Sequence, residues 1–201
     1  MSIAGWALAL MGGYLALAFG LRVAVALRTT GRTGIVAIGS APPIERIGGA
    51  VFFAGVLLGG LNPLLALTDA VEPWSELDAT AAHFAGFVLC AIGIAGTFAA
   101  QMAMGSSWRI GVDPGERTAL VTGGGFSLCR NPIYTFMITA WIGFALLVPT
   151  WLVALAGVLL IVGIEIQVRL VEEPHLLRTQ GEAYRAYARR VGRFVPGLGR
   201  L

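Results

Sequence analysis

Three short stretches in the second half of the chain combine residue types that can do chemistry. The first is Leu120-Val121-Thr122-Gly123-Gly124-Gly125-Phe126, where three glycines let the backbone turn tightly and approach a ligand closely. The second is Arg130-Asn131-Pro132-Ile133-Tyr134. Proline is favoured at the first helical position, so a helix is expected to start at Pro132 with Asn131 as its N-cap. Free N–H groups at such a start suit a carboxylate. The third is Glu172-Glu173, followed by Gly181-Glu182-Ala183-Tyr184-Arg185-Ala186-Tyr187. Two acids at the edge of an apolar segment are costly unless hydrated, paired or bound to something. Each stretch also has a plainer reading: a flexible loop, a basic anchor with an interfacial tyrosine, and an acidic cap on a surface helix. Glu165, about a turn deeper, is placed to pair with Arg169 at i,i+4.

The elements that must position these residues are apolar. The chain has 201 residues, 57% hydrophobic and only 12% charged, about half the charge of a typical soluble domain. Mean hydropathy is +0.79. The apolar residues fall in blocks that can cross a bilayer, which takes roughly 20 helical residues. Spans are expected over about 3–27, 47–67 and 79–104, then two shorter runs over about 131–148 and from there to about 168. The last two make a hairpin around Pro149 and Thr150. The fold expected is all-α and polytopic, with about five transmembrane helices and a C-terminal amphipathic helix. Residues 1–104 read as a three-span scaffold, and 105–201 as a cofactor-binding loop, hairpin and catalytic tail of the same membrane domain. The first apolar run lacks a basic leader and is too long for a secretion signal, so it reads as a span. Gly55, Gly59, Gly86 and Gly93 are expected to let helices approach closely.

Every basic residue is arginine. Arg22 and Arg28, near the end of the first span, are placed to snorkel to the interface. Arg28, Arg32 and Arg46 mark one loop; Asp69, Glu72, Glu76 and Asp78 mark the next; Arg109, Arg117, Arg130 and the tail arginines follow. An outside N-terminus and a cytoplasmic C-terminus satisfy the positive-inside rule, which puts the three motifs on the cytoplasmic side of a multi-pass membrane protein. The net charge of +3 and a pI near 9.3 fit that bias and give no reason to expect nucleic acid. Two cysteines and two histidines offer neither a disulfide framework nor a metal site. From 174 to about 191, Leu177, Tyr184, Tyr187 and Val191 recur at helical spacing with Arg178, Arg185 and Arg189 between them, a basic amphipathic helix suited to a membrane surface. Phe194-Val195-Pro196 ends it.

The order Leu120-Val121-Thr122-Gly123, Arg130-Asn131-Pro132-Ile133-Tyr134, Glu172-Glu173, Gly181-x-x-Tyr184-x-x-Tyr187 and Phe194-Val195-Pro196 resembles the isoprenylcysteine carboxyl methyltransferase family and the related phospholipid N-methyltransferases. The resemblance covers about 108–196. It implies S-adenosyl-L-methionine held in a membrane-embedded pocket closed by the C-terminal segment, and a lipophilic small-molecule or prenylated acceptor drawn from among membrane lipids. Carried over by motif, the cofactor positions are Ala119, Leu120, Val121, Phe126, Asn131, Pro132, Tyr134 and Glu172. Asn131 stands where the eukaryotic motif has His, and Phe126 where it has Tyr. The arginine expected to hold a substrate carboxylate falls on Val168, so Arg169 is taken in its place. Arg169, Glu173 and Tyr134 are the catalytic candidates.

Methyl transfer from a sulfonium to a carboxylate is an in-line displacement that removes two opposite charges, which favours a dry pocket and exact alignment over a general base. An amine acceptor must lose a proton, and Glu173 is then the candidate base. The function expected is O-methylation of a lipidic or isoprenylated carboxylate. The alternatives are an amine or phospholipid N-methyltransferase, a sterol-reductase-like NADPH enzyme, and a membrane scaffold or transporter subunit. The lysine-free Glu172-Glu173-Pro174-His175 stretch departs from the reductase pattern.

Overall fold

The computed structural model describes residues 1–35, 42–111 and 119–201. Arg117 therefore lies outside the described residues. The protein is helical throughout, and among the described residues extended pairing is limited to two isolated bridges, Ile35 with Ile110 and Cys129 with Gly192. The helices are α1 (Ile3–Thr30), α2 (Pro43–Leu67), α3 (Thr80–Ala103), α4 (Pro132–Leu147), α5 (Trp151–Gln180) and α6 (Glu182–Arg190). Four of them, α1, α2, α3 and α5, are long and apolar enough to cross a membrane. At 16 residues, α4 is shorter than a full crossing of ~20 residues, and it forms the expected hairpin with α5 through Val148-Pro149-Thr150.

Lipid is as apolar as leucine, so helices inside it associate by close packing and a few hydrogen bonds rather than by hydrophobic exclusion. Small residues supply the closeness. A Cβ on Gly143 of α4 would stand 2.6 Å from the Cys90 amide of α3, and one on Gly55 of α2 would stand 2.7 Å from the Leu160 amide of α5. Thus α4 lies along α3 and α5 along α2, with the inner stripe of α1 (Ala7, Met11, Tyr14, Ala18) completing the core. Polar rungs fix the register. The Tyr14 hydroxyl and Thr97 Oγ1 lie 3.3 Å apart. At the acidic end, Asn62 Nδ2 donates to Val148 O at 2.9 Å and Thr150 Oγ1 donates to Asn62 Oδ1 at 2.5 Å. Trp74 N donates to Pro149 O at 2.7 Å, which ties the acidic loop to the tip of the hairpin. The motif residues occupy the opposite end.

Two expectations are corrected here. Glu173-Pro174 does not begin a separate helix. The last span continues through it to Gln180 as one 30-residue rod. Pro174 has no N–H for Leu170 and would clash in a regular α-helix; a π segment over Gln167–Glu172, just before it, widens the helix and relieves that conflict. The chain bends only at Gly181 (φ 54°, ψ −125°), a conformation that needs glycine. The amphipathic stretch is consequently split between the end of α5 and α6. Its apolar face is also turned inward: Tyr184, Tyr187 and Ala188 are buried against Leu120, Leu176, Leu177 and Val191 rather than left for a membrane surface.

Candidate active site at the membrane edge

The N-terminus of α4, the glycine loop and the bend of α5 meet at the arginine-rich end. Tyr134 stands in the first turn of α4 and Glu172 in the π segment of α5. The Tyr134 hydroxyl donates to Glu172 Oε1 at 2.7 Å, joining two of the motifs across 38 residues of sequence. Asn131 occupies the N-cap position of α4, but its side chain does not cap the helix. Its Nδ2 donates instead to Arg193 O at 3.1 Å. Pro132 brings no N–H, and with Asn131 turned to the tail the N–H groups of the next residues in α4 have no side-chain cap.

The glycine loop reaches this helix start. A Cβ on Gly125 would lie 3.5 Å from Pro132 Cβ, so the loop packs on the first residue of α4. Phe126 is buried, and its carbonyl accepts a 2.5 Å hydrogen bond from the Tyr187 hydroxyl. Leu120 packs against the Tyr184 and Tyr187 cluster. Val121 is half-buried, and Ala119 is exposed with its carbonyl accepting from Ser107 Oγ at 3.3 Å. Burial pushes the Tyr184 and Tyr187 phenols up to about 12, so both are neutral hydrogen-bond partners at any physiological pH.

Glu173 points away from its neighbour. Arg130 Nη2 donates to Glu173 Oε1 at 2.5 Å, Arg193 Nε donates to the same oxygen at 2.9 Å, and Arg193 Nη2 donates to Oε2 at 2.8 Å. The hydrogen bonds to Glu173 hold the Arg193 guanidinium still more firmly in its charged form. Arg130 also gathers the carbonyls of Ala188 (3.2 Å), Val191 (2.6 Å) and Gly199 (3.1 Å). The tail then runs along the start of α4: Arg130 N donates to Gly192 O, Asn131 N to Arg193 O, and Thr135 Oγ1 to Phe194 O. A carboxylate with two guanidinium partners is stabilised in its ionised form and is a fastening point for the tail. Arg169 is elsewhere. It is exposed and pairs with Glu165 one turn back on α5.

The geometry therefore brings Tyr134, Glu172, the loop around Phe126, Asn131 and Pro132 together, gives Glu173 to the tail, and leaves Arg169 on the outer surface. The roles of three residues escape a reading of motifs. Arg130 and Arg193 serve Glu173 over 43 and 20 residues of separation, which no periodicity reveals. Glu45 is buried in the first turn of α2 and lies near enough to act electrostatically on both Tyr134 and Glu172. Its only sequence signal was an acid beside a proline at a helix start.

The family model described as phospholipid methyltransferase matches residues 81–183. That is half of the chain. The protein belongs to the phospholipid methyltransferase family. The matched region begins in α3, earlier than the motifs alone indicate. It contains the Tyr134 and Glu172 pair, the glycine loop and Glu173, and it stops before Arg193. No curated protein matches the chain.

Proposed function

We propose that the protein is an integral-membrane methyltransferase that uses S-adenosylmethionine and works from the cytoplasmic side on a lipidic acceptor. The observation that carries this reading is the Tyr134–Glu172 hydrogen bond beside the uncapped start of α4, inside the region matched by the family. The donor set suits the cofactor. Glu172 offers carboxylate oxygens for ribose hydroxyls or an ammonium group. The open N–H groups at the start of α4 offer a seat for a carboxylate. The side chains of Ala119, Leu120 and Val121, with the Phe126 loop beside Pro132, supply an apolar wall. Bound S-adenosylmethionine supplies a methyl group on a cationic sulfur, ready for in-line transfer. The residues contribute position and exclusion of water.

For the acceptor we propose an amine-bearing lipid. Glu172 and the nearby Glu45 make this edge acidic, which favours a cationic group and gives its departing proton a place to go. Glu173, held by two arginines, acts through the tail rather than on the acceptor. The reading as an isoprenylcysteine-type carboxyl methyltransferase is kept as a second possibility, because of the motif order and because Arg169 is exposed on α5 one turn from Glu172. There it would exchange Glu165 for a substrate carboxylate.

The test uses pure protein in detergent. Calorimetry should show S-adenosylmethionine binding that Glu172→Ala abolishes while the melting profile is kept; no binding by folded wild type sinks the proposal. Membranes incubated with labelled methyl donor should then yield a lipid whose N-methyl label stays on the headgroup through mild alkali. Label released by mild alkali as volatile methanol identifies a methyl ester and selects the carboxylate reading.

A further inference from the structure

Arg22 belongs to none of this machinery, and its surroundings do not explain it. The buried residues of α1 recur as Ala7, Met11, Tyr14, Ala18, Arg22 and Ala26. One arginine thus sits on the inward stripe of an otherwise apolar span. It does not snorkel, as its place near the helix end suggests; it is 1% exposed. Its Nη2 donates to Gly105 O at 2.6 Å, and its guanidinium lies 4.4 Å from the centre of the Trp108 ring. Trp108 is also packed against Gly34, where an added Cβ would come within 2.9 Å of the ring. Among the described residues, Arg22 Nε and Nη1 are buried with no hydrogen-bond partner.

A complementary group stands one helical turn away. Gln101 Nε2 donates to Ala18 O at 3.2 Å, while its Oε1 is buried and has no partner among the described residues. Ala18 and Arg22 are a turn apart on α1. Gln101 and Gly105 are a turn apart at the end of α3. The two rungs therefore form successive levels of one seam, with cationic donors left over on one level and an acceptor on the other.

A guanidinium does not shed its proton, and a buried charge without a counter-charge is strongly disfavoured. An intramembrane ionisable group is a reason to look for a ligand. The ligand that satisfies both rungs carries anionic oxygens for Arg22 and a hydrogen-bond donor for Gln101. We infer that Arg22 and Gln101 form a binding site for the phosphodiester headgroup of a membrane lipid, with the phosphate at Arg22 and a headgroup hydroxyl or amine at Gln101 Oε1. The exposed apolar side chains of Leu17, Leu21 and Met102 flank the seam and suit acyl chains. This site does not depend on the identity of the methyl donor or acceptor.

The experiment compares wild type, Arg22→Gln, Arg22→Lys and the control Arg28→Gln, each purified in a neutral detergent. Native mass spectrometry and thermal unfolding are read with phosphatidylglycerol, with a diacylglycerol of the same chains, and with inorganic phosphate. Wild type and Arg28→Gln should retain one tightly held phosphatidylglycerol and melt several degrees higher with it, and neither diacylglycerol nor inorganic phosphate should reproduce this. Arg22→Gln should lose the retained lipid and the shift. Should Arg22→Gln fail to fold, Arg22→Lys, which keeps the charge but not the fork, should retain the lipid at least tenfold less well. Equal retention by wild type and the Arg22 variants overturns the inference. So does equal stabilisation by inorganic phosphate, which would make the site one for a free anion. A loss of stability in Arg22→Gln that is the same with and without phosphatidylglycerol shows a structural staple only, and overturns it too.

Discussion

Arg130 and Glu173 form a 2.5 Å hydrogen-bonded ion pair whose side chains are 1% and 8% exposed. It joins the loop before α4 to the far end of α5, and Arg193 closes it from the tail. Breaking a buried pair from one side leaves the other charge without compensation, at a cost of about 3–5 kcal/mol. Arg130→Ala and Glu173→Ala should each lose stability on that scale, and the double variant should lose much less than the sum. Denaturant melts in a double-mutant cycle measure this; strictly additive losses would show that the two are not coupled.

Tyr134→Phe removes only the hydroxyl that donates to Glu172 at 2.7 Å. A hydrogen bond to a charged group contributes roughly 1.5–3 kcal/mol. Affinity for S-adenosylmethionine should fall about tenfold or more by calorimetry, because Glu172 loses the partner that orients it, and the melting temperature should fall by a few degrees with the lost hydrogen bond. Unchanged affinity would remove Tyr134 from the cofactor site.

The tail should come loose in alkali. Burial raises the Tyr187 phenol to about 12 in the folded protein, above its ordinary value of 10.0. Because the folded value is the higher one, the stability at stake is fully present below pH ~10 and is lost as pH rises towards about 12. Phenolate absorbance and protease sensitivity of the tail should rise together in that window. Tyr187→Phe, which also loses the 2.5 Å bond to Phe126 O, should weaken the tail at neutral pH and flatten the pH dependence. A full-size alkaline transition in that variant would assign it to another group, with Tyr184 the next to test.

The helix seams should be intolerant at particular glycines only. A Cβ on Gly143 would overlap the Cys90 amide and the Gly86 carbonyl of α3, backbone groups that cannot move aside. Gly143→Val should therefore cost several kcal/mol, in the manner of an overpacked core. Gly49, with nothing within 4 Å of an added Cβ, should accept alanine and gain up to about 1 kcal/mol from the better helix former. Thermal melts of the two variants decide it; similar losses at both would mean that the seam does not discriminate.

The membrane fold could be read from the apolar blocks because their length is set by bilayer thickness, and the helix ends fall within a few residues of expectation except at the last span, which runs on to Gln180. The Tyr134 and Glu172 pair was also within reach, since each lies in a recognisable motif. Other features were hidden for physical reasons. The run through Glu173-Pro174 looked like a helix start because proline usually is one, and nothing local announces a π segment that absorbs it. The tyrosine stripe looked like a membrane-facing surface because amphipathicity tells which side is apolar, not what covers it. Arg22 looked like a snorkelling arginine, because its position on α1 gives its depth but not the face that α3 closes over.

The π segment over Gln167–Glu172 has a consequence for how this tail can change over generations. An α-helix advances about 100° per residue. The widened turn sets the phase at which Glu172 meets Tyr134 and Glu173 meets Arg130, two partners on different elements served by adjacent residues. Deleting one residue from the regular helix ahead of the widened turn would rotate everything after it by that same angle, carrying both acids off their partners at once. Substitutions here can be repaired one at a time. A change of length cannot, so the spacing between the hairpin and the tail is more constrained than any single side chain within it.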